Sequence, residues 1–124
     1  VSKLLHAAKE LKASVPADMM VISTGYSWLR EFGANVAAGC IGQGWFDLAG
    51  FGRQSFAYPD FANDIKNGGM QRKKCCIACS KCTQLMRAGS TAGCVIRDAG
   101  VYMPIYKRDV LENPEDIIHK VSSM

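Results

Sequence analysis

Cys76, Cys79 and Cys82 stand at i, i+3 and i+6, and Cys94 follows twelve positions later. Three thiolates in one tight loop with a remote fourth suit a [4Fe–4S] cube, because a single wrapping segment grips three corners. Structural zinc prefers two separate two-cysteine knuckles, divided by a dozen or more residues. The overlapping C-x2-C-x2-C run therefore favours iron–sulfur over zinc. Cysteine also packs as a small hydrophobe, but Cys75, Cys76, Cys79, Cys82 and Cys94 are too dense for packing alone. Cys75 is the spare: it can replace Cys76 as a ligand only at a worse spacing to Cys79.

The charge around these cysteines is one-sided. From Ile65 to Arg97 there is no Asp or Glu, whereas Lys66, Arg72, Lys73, Lys74, Lys81, Arg87 and Arg97 all fall there. Cations offset the negative charge that four thiolates leave around a cluster, and cluster potential depends on that charge and on hydrogen bonds to sulfur. Gly89, Ala92 and Gly93 are small enough to let backbone N–H groups approach the sulfurs. For any single lysine, a solvated surface position is the plainer reading.

A second constellation precedes the first. Thr24-Gly25-Tyr26 and Gly50-Phe51-Gly52-Arg53 each close a short apolar run. In (β/α)8 barrels the loops after the last two strands often bind phosphate through backbone N–H groups. Glycine lets the backbone come close, and arginine adds a two-pronged charged donor. Glycine after a strand is more often only a turn. Gly50-x-Gly52-x-x-Ser55 is not a dinucleotide fingerprint, since no third glycine packs against a helix.

The elements that must position these residues follow from periodicity. Leu4, Leu5, Ala8 and Leu11 predict an amphipathic helix over 2–13. Met19–Thr24 predicts a strand buried on both faces. Ser27 is placed to cap a helix carrying Leu29, Phe32, Val36 and Cys40 on one stripe, ended by Gly39, Gly42 and Gly44. Phe46–Ala49 predicts a second strand. Pro59 suits the first position of a third helix, with Gly68 after its end. This alternation is that of a parallel α/β protein. Two strands cannot make a parallel sheet covered on both faces, so residues 1–69 need neighbouring strands from elsewhere. Residues 70–97 read as a Cys-rich loop with a short helix. Residues 98–112 read as extended or irregular, and Asn113-Pro114 starts a short helix in the tail, 98–124.

Phe51-Gly52-Arg53-Gln54 followed by Tyr58-Pro59-Asp60-Phe61 resembles the end of the barrel in the old yellow enzyme family of NADH:flavin oxidoreductases. Cys76-Ile77-Ala78-Cys79-Ser80-Lys81-Cys82-Thr83, then Gly93-Cys94, is similar to the iron–sulfur branch of that family, which includes bacterial 2,4-dienoyl-CoA reductase and trimethylamine dehydrogenase. The resemblance runs from about Met19 to Cys94. It implies the last two β/α units of a TIM barrel, with strand seven at Met19–Thr24 and strand eight at Phe46–Ala49. It implies FMN phosphate on Gly25, Gly52 and Arg53, and a [4Fe–4S] cluster on Cys76, Cys79, Cys82 and Cys94. It further implies NAD(P)H as electron donor, an activated alkene or related acceptor, and a parent chain roughly three times as long. Catalytic residues of the family lie on earlier strands, so none is carried onto this sequence. The isolated piece is expected to be inactive. The cysteine gaps match neither named enzyme, and Tyr58 stands where the family tends to have a small polar residue.

Composition narrows the alternatives. With 48% hydrophobic and 21% charged residues, the chain is globular rather than disordered. No apolar run reaches membrane-spanning length. The start, Val1-Ser2-Lys3, resembles no secretory leader, so a cytoplasmic protein is expected, and the absence of an initiator Met suggests a longer reading frame or residues removed by processing. The competing class is a small zinc or iron–sulfur module with a basic ligand-binding face. Nucleic acid fits that face poorly, since no aromatic residue lies between Gln71 and Arg97 to stack on bases. Exposed strand edges favour homo-oligomers. His6 and His119 lack ligand-spaced partners. Trp28 and Trp45 read as core or barrel-wall residues, and Asp47 as a satisfied buried carboxylate.

Overall fold

The computed structural model describes residues 1–112. The helix expected from Asn113, and His119 with it, lie outside the described residues. The chain opens with α1, Ser2–Ser14, and β1, Ile22–Ser23. A 3₁₀ segment, Tyr26–Phe32, then runs into α2, Gly33–Gly42. Next come β2, Leu48–Ala49, α3, Arg53–Ala57, and α4, Phe61–Lys66. The second half holds a single 3₁₀ turn, Arg72–Lys74, α5, Lys81–Arg87, and α6, Ala99–Tyr106. A π-helical turn at Lys107–Leu111 follows α6.

β1 and β2 pair in parallel, Ile22 with Leu48 and Ser23 with Ala49. The connection through α2 is what a parallel pair requires. Asp47 strengthens the junction. Its Oδ2 accepts the Val21 N–H at 2.8 Å and pairs with Lys12 Nζ at 2.9 Å. One side chain thus ties α1 to both strands, which gives the expected satisfied carboxylate its partners.

The two faces of this sheet differ. Val21, Tyr26, Ala37 and Phe46 form a buried cluster with Leu5 of α1, and Ser23 is buried on the same side. The other face is bare: Ile22 is 60% exposed, Leu48 45% and Met20 63%. Burial of the first strand on both faces is therefore not found. Helices cover one side only, and among the described residues no layer covers the other.

Several local expectations need correction. Ser27 caps no helix. Its hydroxyl instead accepts the Gln54 N–H at 3.2 Å, and the backbone kinks at Arg30, where φ is 49°. One helix was expected around Pro59, but two short ones stand there. Proline pushes its predecessor out of the helical region, and Tyr58 sits at φ −141°, ψ 74° between them. Pro59 is not the first residue of α4, which starts at Phe61 with Asp60 at its N-terminal cap position. Trp28 is no core residue, being 60% exposed; Trp45 packs at the edge of the first cluster.

The largest correction concerns 98–112, expected as extended and found helical. Gly100 and Pro104 obscure the helix, since each weakens it locally. Packing overrides them: Tyr106 and Val110 bury against Leu85, Ala88 and Val95, with Tyr102, Met103 and Ile105 around them. This second core backs the cysteine segment.

Candidate metal centre

The segment Cys76–Cys82 is held in an unusual backbone path. Ala78 has φ 57° and Ser80 φ 63°. Left-handed conformations are costly for residues with a Cβ, so the surrounding contacts must hold them. Three such contacts are visible. Gln54 Oε1 accepts the Cys76 N–H at 2.8 Å. Arg53 Nη1 donates to Ser80 Oγ at 3.1 Å. Arg97 clamps the Cys75 carbonyl through Nε at 3.2 Å and Nη2 at 3.0 Å.

A further brace reaches in from α4. The Tyr58 hydroxyl donates to the Asp64 carboxylate and accepts the Gln71 N–H at 3.3 Å. Lys74 lies 3.6 Å from Asp64 and over the Tyr58 ring. Burial and the adjacent Asp64 carboxylate both push the Tyr58 phenol upward, so it stays a neutral donor.

The structure brings Cys76, Cys79, Cys82 and Cys94 to the wall of one small cavity of about 20 Å³. Arg53 and Phe56 from α3, Ile77, Ser80 and the segment Val95–Arg97 complete the wall. Cys75 is not part of this wall. It is fully buried and its thiol lies 3.5 Å from the Gln71 carbonyl. Backbone donors already serve two of the cavity sulfurs: Ala78 N–H to Cys76 Sγ at 3.3 Å, and Arg97 N–H to Cys94 Sγ at 3.2 Å. These donors are not the expected Gly89 and Gly93. Gly89 closes α5 at φ 69°, and Gly93 is required by the Tyr102 ring that packs on it.

Burial raises the Cys82 thiol above its ordinary value, and the nearby Cys76 and Cys79 add to the rise. Among the described residues no three His, Cys, Asp or Glu side chains converge on a single ion position. Four thiols on one cavity wall, two of which accept backbone N–H groups, are a donor set of the chemistry that an iron–sulfur group takes. One more observation bears on fit: Gln54 is 1% exposed, and its Nε2 has no hydrogen-bond partner.

Of the seven cations expected to offset the thiolates, only Arg97 lines the cavity. Arg72 pairs with Glu31, Lys74 with Asp64, and Lys81 covers Tyr106. The second cavity cation, Arg53, comes from outside that stretch. Its guanidinium also lies 5.6 Å from the Trp28 ring centroid. Arg53, read from sequence as a phosphate ligand, is therefore engaged with the cysteine loop. Ser80 and Gln54 were missed. Ser80 lies between two of the cysteines, which was the available signal; Gln54 carried none.

Gly25 and Gly52 follow the ends of the two paired strands. Gly25 has φ 102°, and a Cβ there would come within 2.8 Å of Leu4 Cδ1; turn geometry and packing both demand glycine. Gly52 is different, with no atom within 4 Å of an added Cβ, which leaves its backbone open to a close approach. No described helix is long and apolar enough to cross a membrane. The chain matches no protein family, no curated protein and no solved structure.

Proposed function

We propose that this chain forms the last two β/α units of an FMN-dependent (β/α)8-barrel oxidoreductase of old yellow enzyme type, iron–sulfur branch, working in the cytoplasm. Cys76, Cys79, Cys82 and Cys94 hold a [4Fe–4S] cluster, and Gly25, Gly52 and Arg53 face the FMN phosphate. When bound, the flavin supplies hydride transfer from NAD(P)H to an activated alkene or related acceptor, chemistry intrinsic to the cofactor. The chain's own residues bind and orient. The parallel strands set the two glycine turns side by side, and α3 presents Arg53 between the turn and the cysteine loop.

The observation that carries this reading is the meeting of all four cysteines with Arg53 around one cavity. The bare apolar face of the sheet supports the barrel. In a closed barrel Ile22 and Leu48 point into a lumen packed by the remaining strands, and those strands belong to the N-terminal part of the parent.

Anaerobic reconstitution with iron and sulfide tests the centre. The expected product is brown, with about four irons per chain. A colourless protein with one tightly held zinc overturns the reading and leaves a small structural zinc module.

A further inference from the structure

Gln54 joins three segments that are distant in sequence. Its backbone N–H donates to Ser27 Oγ on the segment after β1, at 3.2 Å. The residue itself belongs to α3, after β2. Its Oε1 accepts the N–H of Cys76, the first cavity cysteine, at 2.8 Å. The side chain is 1% exposed, and Nε2, on the same carboxamide, lacks a partner. A buried donor left without an acceptor costs about 1–3 kcal/mol, so proteins rarely keep one unused.

We infer that Gln54 is a positioning residue of the cysteine centre, fixing Cys76 through Oε1 and donating through Nε2 to sulfur when the centre is loaded. The inference rests on the iron–sulfur reading above. Hydrogen bonds to sulfur stabilise the more negative, reduced cluster and so raise its potential. A carboxamide is the side chain that does both jobs, since it carries an acceptor and a donor on one planar group without adding charge. A leucine or methionine of similar volume fills the same space and does neither.

The test compares the wild-type protein with Gln54→Met and Gln54→Glu. In the metal-free protein, exchange of the Cys76 amide proton is read by NMR. Gln54→Met is expected to lose protection about five- to tenfold, the worth of one hydrogen bond, while Gln54→Glu keeps it, because a carboxylate still accepts. In anaerobically reconstituted protein, both variants are expected to show a more negative cluster potential by redox titration. Unchanged amide protection in Gln54→Met, or a wild-type potential in either variant, overturns the role of Gln54 while leaving the cluster reading intact. A wild-type protein that takes up no iron overturns the proposed function itself. If Gln54→Met fails to fold by circular dichroism, Gln54→Leu takes its place in both measurements, since the added charge of Gln54→Glu lowers the potential by itself.

Discussion

Arg53 reaches across from the glycine turn to Ser80 at 3.1 Å, between Cys79 and Cys82. The residue expected to serve a phosphate and the residues expected to serve a metal are therefore one connected structure. A hydrogen bond to a charged group contributes about 1.5–3 kcal/mol before solvent screening, and Arg53 is only half-buried. Under the proposed function, Arg53→Ala is expected to lower iron retention here and FMN retention in a longer parent. Ser80→Ala is expected to lower iron retention alone. Parallel iron and flavin assays check this; normal iron in Arg53→Ala argues against the link.

Gly93→Ala probes the support behind Cys94. A methyl at this position would fall within the ring of Tyr102, which packs on the second core. Overpacking of this kind costs about 1–3 kcal/mol. The urea midpoint should fall accordingly. A companion Tyr102→Ala change should relieve part of the loss in the double variant, which a double-mutant cycle measures.

Asp47 predicts an acid limit. The hydrogen bond from Lys12 holds its carboxyl below the ordinary 3.8, and the Val21 N–H and the Lys12 charge act in the same direction against partial burial. A depressed folded value means stability that is present above the unfolded value and lost as pH falls through the folded one. Asp47→Asn keeps an acceptor for Val21 but loses the charge. Its deficit in urea midpoint should be evident at pH 7, begin to shrink below about pH 4 and vanish only below the depressed folded value, where both proteins carry a neutral side chain. A deficit that is constant with pH would remove the ion pair from the account.

The bare chain should hold no flavin. Two or three charge-assisted contacts at about 1.5–3 kcal/mol each face an association cost of about 4–15 kcal/mol. Equilibrium dialysis with FMN should show no retained cofactor, and NADH oxidation should stay at background. Tight FMN binding would dissolve the assignment of Gly25, Gly52 and Arg53 as half of a shared site.

Legibility in the sequence followed the physics of each segment. The two strands were readable because apolar runs bounded by glycine have few other solutions, and the first helix from the spacing of Leu4, Leu5, Ala8 and Leu11. The parallel pairing followed from the intervening helix. Helix α6 was not readable, because Gly100 and Pro104 are local breakers, while the contacts that sustain it come from Leu85, Ala88 and Val95, outside its own window. The four cysteines were legible from spacing, but their supports were not. Ser80 and Gln54 act through distant partners, and nothing in their neighbours' identities announces that.

The cavity wall draws Arg53 and Phe56 from α3 and its last members from the segment Cys94–Arg97. The enclosure therefore closes only where segments far apart in the sequence meet, so a change that detaches either α3 or the stretch after Cys94 opens the same cavity from opposite sides.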